Sequence, residues 1–224
     1  MTFTGFQPAA IQFLADLAAS NERAWFQPRK AEYERLLKEP LEGLCAALAE
    51  RFAGAGVPLQ ADPHRSPFRI YRDVRFSKDK SPYKTHVAAG FPMTGAPGIG
   101  GYFSFGPGMI YAGGGMHMPE PARLAAFRAA VAAHPDRLRA LLADAAFVDT
   151  FGSLGGDRLS RVPAGYPKDH SAADLLVLKE AVFSRRLSDA EAFSPELPDL
   201  LARTFAAGVP LLRYLAESSA GATT

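Results

Sequence analysis

Between Arg65 and His86 the chain sets Arg65, Arg69, Arg72, Arg75, Lys78, Lys80 and Lys84 against only Asp73 and Asp79. The segment carries a net +5 in a chain whose total is +2, so the other residues sum to −3. Tyr71, Tyr83 and His86 are interleaved with the cations. An arginine fork matches the oxygens of a carboxylate or phosphate, lysine adds a point charge, and a phenol donates one hydrogen bond. This mix suits an anionic ligand. Taken as a strand, residues 69–76 put Arg69, Tyr71, Asp73 and Arg75 on one face and Ile70, Arg72, Val74 and Phe76 on the other. The second face is the more apolar and is expected to meet the core. Asp73 would steady a neighbouring guanidinium. Ser77–Pro82 then reads as an exposed loop carrying Lys78 and Lys80. The expected ligand-binding set is Arg69, Tyr71, Arg72, Arg75, Lys80, Tyr83 and Lys84, with Gly114 on the opposite wall. Asp73 and His117 are the candidates for moving a proton if chemistry follows binding.

Three other uses of the same charges stay open. The cations could simply be the solvated face of a strand. They could be ion-paired to helix carboxylates such as Glu32 or Glu34, which would make the segment a folding device. Or loop 77–84 could hold a nucleic acid or a partner protein through Lys78, Lys80 and Lys84, with affinity falling steeply as salt rises.

Elsewhere the chemical signals are thinner. Gly113-Gly114-Gly115 between a strand and a helix allows backbone N–H groups to approach a phosphate, or else marks a bulge or tight bend. No Gly-Lys-Ser/Thr follows, and there is no GxGxxG. The five histidines show no HExxH spacing. A metal would need ligands from distant segments, such as His86 and His117 with Asp73, and no metal site is expected. Cys45, the one cysteine, falls on an apolar helix stripe and reads as core. No GxSxG elbow is present. Trp25 and Phe26 read as core, or as a stacking wall for a base or sugar. No residue pattern names a cofactor.

These residues need elements to position them. Ala10, Ile11, Leu14, Leu17 and Ala18 repeat at helical spacing. Ser20 and Asn21 could cap a second helix, and Pro40 suits the first turn of a third. Leu41, Leu44, Cys45, Leu48 and Phe52 form that helix's buried stripe, ended by Gly54 and Gly56. Short strands are expected at Phe68–Phe76, Val87–Phe91, Gly101–Gly106 and Met109–Gly114, with Gly106-Pro107-Gly108 as a hairpin connection. Helices follow at Pro121–Ala133, Pro135–Ala145 and near Ala172–Glu180, with strands at Arg158–Val162 and Ala181–Leu187. A last helix, Pro195–Glu217, breaks or kinks at Pro210, and Ser218–Thr224 is a frayed tail. The order predicts an α+β fold, a mostly antiparallel central sheet packed with N-terminal and C-terminal helices, as a single domain over 1–224.

The run Tyr71-Arg72-Asp73-x-Arg75-Phe76-Ser77-x-Asp79-Lys80-x-Pro82-Tyr83-Lys84-Thr85 resembles the signature of the DUF2461 family of uncharacterised bacterial proteins. Asn21-x-Arg23-x-Trp25-Phe26, with Lys30 and Tyr33, is similar to that family's N-terminal motif. Gly113–Gly115 with Met116 to Glu120 and Arg123 is similar to its glycine motif. Leu159-x-Arg161-x-Pro163-x-Gly165-Tyr166, with His170 and Lys179, is similar to its C-terminal one. The resemblance spans about 3–215. Ser20 stands where a second asparagine is expected, and Ala24 where an acid is commoner. The resemblance implies one complete domain and brings no activity or cofactor with it.

The 224 residues are 48% hydrophobic and 21% charged, with 16 phenylalanines. Such a chain can bury a phenylalanine-rich core without staples. A total charge of +2 excludes a protein coated with positive charge. One cysteine excludes an internal disulfide. Met1–Gln12 does not read as a signal peptide, and no stretch approaches the roughly 20 apolar residues that span a bilayer. No membrane partner is expected, and the cytoplasm is the expected location.

Overall fold

The computed structural model describes residues 3–220. It is an α+β fold with a four-stranded antiparallel sheet, as the element order predicts. Helix α1 (Pro8–Ala19) starts on its proline and buries Ala10, Phe13, Leu14 and Leu17. A nearly continuous helical stretch follows. It comprises α2 (Arg23–Phe26), a 3-10 turn (Gln27–Arg29), α3 (Lys30–Tyr33), a π-helical turn (Glu34–Lys38) and α4 (Glu39–Ala55). Pro40 lacks an N–H and its ring clashes with the carbonyl four residues earlier. The wider π turn just before it absorbs that misfit. Gly56, at φ 63°, closes α4 in the left-handed conformation.

The sheet runs β1 (Val87–Met93), β2 (Ala96–Phe105), β3 (Tyr111–Met116) and, after α5 (Pro121–Ala133), α6 (Pro135–Leu142), α7 (Ala145–Phe151) and α8 (Ala173–Leu176), β4 (Ala181–Arg186), in spatial order β1-β2-β3-β4. Two helices close the chain, α9 (Asp189–Phe193) and α10 (Leu197–Ser219). Among the described residues no helix is long and apolar enough to cross a membrane.

Two compact units divide the chain. The first comprises Met1–Phe91, Tyr102–Ala112 and Arg186–Arg203, the second Pro92–Gly101, Gly113–Arg185 and Thr204–Thr224. Each is assembled from three separate segments, which is why no linker marks a boundary in the sequence. The first has the expected phenylalanine core. Phe6 stacks on Phe105 at 4.1 Å, Phe52 meets Phe91 edge-on at 5.7 Å, and Phe26 stacks on Tyr83 at 4.2 Å. Cys45 is buried there, which pushes its thiol up to about 12 and removes it as a nucleophile. The second unit centres on Phe183, which Phe151 meets at 4.5 Å.

Several expectations are corrected. Residues 69–76 are not a strand; only Tyr71 makes a bridge, to Tyr83. Phe76, expected against the core, is 95% exposed. Arg158–Val162 is no strand either, with Arg158 alone bridged to Leu178. The helix expected over Ala172–Glu180 is the single turn of α8, and that over Pro135–Ala145 stops at Leu142 before α7 begins. Helix α10 contains Pro210 in its interior, so the helix does not break there. Ser218 and Ser219 belong to it, and Ser219 is fully buried rather than frayed; residues 221–224 lie outside the described residues. Ser20 and Asn21 do not cap the second helix: α2 starts after Glu22 without a side-chain cap, and Ser20 instead ends α1.

Candidate functional site

The basic segment folds as an irregular hairpin docked on β1. Phe68 N–H donates to Ala88 O at 2.8 Å and Gly90 N–H donates to Ser66 O at 2.9 Å, so residues 66–68 pair with the edge strand. Further on, Lys84 N–H donates to Ile70 O at 2.8 Å and Arg72 N–H to Pro82 O at 2.9 Å, with Tyr71 opposite Tyr83. Asn21 fastens the returning arm. Its side-chain amide donates to Tyr83 O and accepts from Tyr83 N–H, both at 3.0 Å, as a strand neighbour would. Tyr83 is therefore core, 1% exposed, and its hydroxyl is buried without a partner among the described residues.

The loop between the arms is held by its own charges. Asp73 accepts the Arg75 guanidinium through both oxygens, at 2.7 Å from Nη2 and 3.0 Å from Nε. That bond holds the Asp73 carboxyl below the usual range, so it is a poor proton carrier near neutrality. Asp79 accepts from the Ser81 hydroxyl at 2.6 Å, the Ser81 N–H at 2.9 Å and the Arg72 guanidinium, and its carboxyl is lowered by those three in that order. Lys80 Nζ donates to Val74 O at 2.9 Å. Arg72, Arg75 and Lys80 thus have internal partners, and the acids are Asp73 and Asp79 rather than Glu32 or Glu34. Glu34 instead meets Lys30 at 3.7 Å. Arg69, Lys78 and Lys84 form no close ion pair among the described residues, although Arg69 is near enough to Asp73 to help lower its carboxyl.

Beside this loop lies a cavity of about 300 Å³. Its basic wall is Arg72, Lys84 and the His86 ring; Ser81 and Thr85 contribute hydroxyls and Asn21 an amide. Its only acid is Asp79, already committed to Arg72 and Ser81. Lys84 is pushed below the usual lysine range by burial and then by Arg69. His86 is pushed below the usual histidine range by burial and then by Lys84. A second hollow, about 180 Å³, is lined by Thr4, Arg35 and Glu39 among others, and its charges are balanced.

Of the expected binding residues, Arg72, Tyr83 and Lys84 line the cavity; Arg69, Tyr71, Arg75 and Lys80 flank it on the same hairpin without lining it. Gly114 belongs to the second unit, within β3. The glycine run there serves close strand approach. A Cβ on Gly113 would stand 2.0 Å from Phe183 O, on Gly114 2.6 Å from Gly100 O, and on Gly115 2.1 Å from Ala181 O. His117 is also in the second unit, exposed, with Nδ1 2.5 Å from Glu180 Oε2. Glu180 also accepts the N–H groups of Met118 at 3.2 Å and Asp157 at 3.1 Å. Burial works against the charge on Glu180, yet those hydrogen bonds hold its carboxyl below the usual range. Among the described residues no group of three or more His, Cys, Asp or Glu is placed to hold a metal. Ala18, Asn21, Asp79, Ser81, Thr85 and His86 are the cavity residues outside the expected set. Asn21 is separated from Tyr83 by 62 positions, which no local pattern reveals.

The site is thus an antiparallel sheet edged by a self-bonded basic hairpin. The family model described as conserved hypothetical protein (DUF2461) matches residues 9–214, and the chain belongs to that family. No curated protein and no solved structure matches the chain.

Proposed function

We propose that this protein binds a small phosphate- or carboxylate-bearing ligand in the cavity walled by Arg72, Lys84 and His86. The observation that carries this reading is the state of Lys84 and His86. Both are partly buried, each disfavours its own charge, and no free acid shares their cavity. The Lys84 ammonium is held there against its solvation preference and the His86 ring resists taking a proton, and an anion relieves both. Arg69 on the adjoining arm adds attraction. Loop 73–81 is already braced by its own ion pairs, so little ordering is required on binding. Binding rather than a reaction is what the arrangement supports. We place the protein in the cytoplasm, where a lone thiol stays reduced and phosphate esters are plentiful.

Inorganic pyrophosphate should raise the melting temperature at millimolar concentration, because a ligand that binds only the native state stabilises it. The effect should grow as pH falls from 8 to 6. Without ligand, His86 takes its proton less readily folded than unfolded, so its share of stability is lost as pH drops through the ordinary histidine range near ~6.5. Bound pyrophosphate favours the imidazolium and cancels that loss. In H86Q the pH dependence of the shift should shrink to the part that pyrophosphate's own protonation contributes, which is common to both proteins. A shift equally pH-dependent in H86Q would contradict this placement.

Phe76, almost fully exposed between Arg75 and Lys78, favours a second reading in which loop 77–84 contacts a nucleic acid or a partner protein. Anisotropy titrations at low and moderate salt separate it, since backbone phosphate contacts weaken steeply with salt.

A further inference from the structure

We propose that the ligand is a nucleotide, with its phosphate beside Lys84 and its base stacked on the ring of Phe68. This inference rests on the anion site argued above and adds the planar group. Phe68 leaves 47% of its surface exposed and Tyr71 44%. Both rings adjoin cavity residues. Lys84 lines the cavity and holds its ammonium 5.4 Å from the Phe68 centroid. Tyr71 lies 5.4 Å from Tyr83, which also lines it. From Phe68 an aromatic row continues, with Tyr102 at 6.1 Å and Tyr111 stacked on Tyr102 at 5.7 Å.

Phe68 is held in place. Its N–H is bonded to β1, and its ring is apposed to Gly90, where an added Cβ would stand 3.0 Å from a ring carbon. A braced, half-exposed ring next to a cation is a platform for a base, since every base has a π-face and its phosphate needs the charge. At present the ammonium of Lys84 occupies the ring's neighbourhood. A phosphate in the cavity draws that ammonium away and leaves the ring for the base, so the two contacts assist each other. A carboxylate or a bare inorganic anion would use only the first of them.

Isothermal titration of wild type, Phe68→Leu and Tyr71→Ser with adenosine diphosphate, inorganic pyrophosphate and a single-stranded oligodeoxyadenylate, at one salt concentration, tests this. Wild type should bind the diphosphate nucleotide about tenfold or more tighter than pyrophosphate. Phe68→Leu should lose most of that gain and bind pyrophosphate as wild type does. Should Phe68→Leu fail to fold by circular dichroism, Phe68→Met takes its place, where loss of the gain supports the stack and an undiminished gain overturns it. Tyr71→Ser removes a ring that meets Tyr83 and not Phe68, and is the control that keeps the gain. Equal affinity of wild type for nucleotide and pyrophosphate overturns the nucleotide while sparing the anion site. Binding of neither overturns both. An oligonucleotide that binds tighter than the mononucleotide, still through Phe68, supports the same chemistry and identifies a strand as its source.

Discussion

Gly115→Ala should lower the unfolding free energy by about 3 kcal/mol, the combined order of a forbidden backbone conformation and an overpacked contact. Gly115 sits at φ 133°, which L side chains rarely adopt, and its added Cβ would stand 2.1 Å from Ala181 O. That neighbour is strand backbone, so relief requires β3 and β4 to separate locally. Gly95→Ala is the control. Gly95 is also left-handed, at φ 75°, but an added Cβ meets nothing within 4 Å. It should cost only about 1 kcal/mol. Urea unfolding with unchanged m-values measures both. Equal costs at the two positions would show that the glycine run is not there for strand approach, and would reopen it as a ligand loop.

Lys84→Met should abolish pyrophosphate binding and leave the melting temperature unchanged or higher. Methionine keeps the apolar stem that the hairpin half-buries, and removes an ammonium that both burial and Arg69 disfavour. A residue retained for the fold loses stability on replacement; one retained for a ligand loses binding and relieves strain. The readout is one pair of thermal scans per protein, with and without pyrophosphate. If Lys84→Met is stabilised by pyrophosphate as much as wild type is, the cavity is not the anion site. Arg75→Ala makes a useful contrast. Its guanidinium is spent on Asp73, so its loss should loosen the loop more than it weakens binding.

The sequence disclosed the elements that local chemistry dictates. The spacing from Ala10 to Ala18 is a helix, Pro121 opens another, the stripe from Leu41 to Phe52 is buried as read, and Gly106-Pro107-Gly108 turns β2 into β3. The basic segment was legible as special, but its shape was not. Alternation at Ile70, Val74 and Phe76 argued for a strand. Two short-range features won instead: Asp73 bends the chain back to Arg75, and Asp79 does the same to Ser81. Those bonds take the backbone out of the ladder after Arg72 and leave Phe76 at a loop tip. Tyr83 read as a ligand donor because its partners are remote in sequence. Asn21 and Phe26 claim its backbone and ring from the helical region, and only the fold brings them together. The glycines of β3 were ambiguous for a related reason, since close approach to a phosphate and close approach to a strand demand the same residue. His86 was visible as a histidine interleaved with the cations. Its place next to Lys84 in a cavity poor in free acid depends on the hairpin's docking against β1.

The most direct test is the titration of the His86 ring, followed by its imidazole NMR signals with and without pyrophosphate. Alone, the ring should titrate below the ordinary histidine range. With saturating pyrophosphate its midpoint should move upward, past that of the free protein, and the displacement should disappear in Lys84→Met. A midpoint that stays where it was while pyrophosphate demonstrably binds would put the anion somewhere other than beside Lys84 and His86.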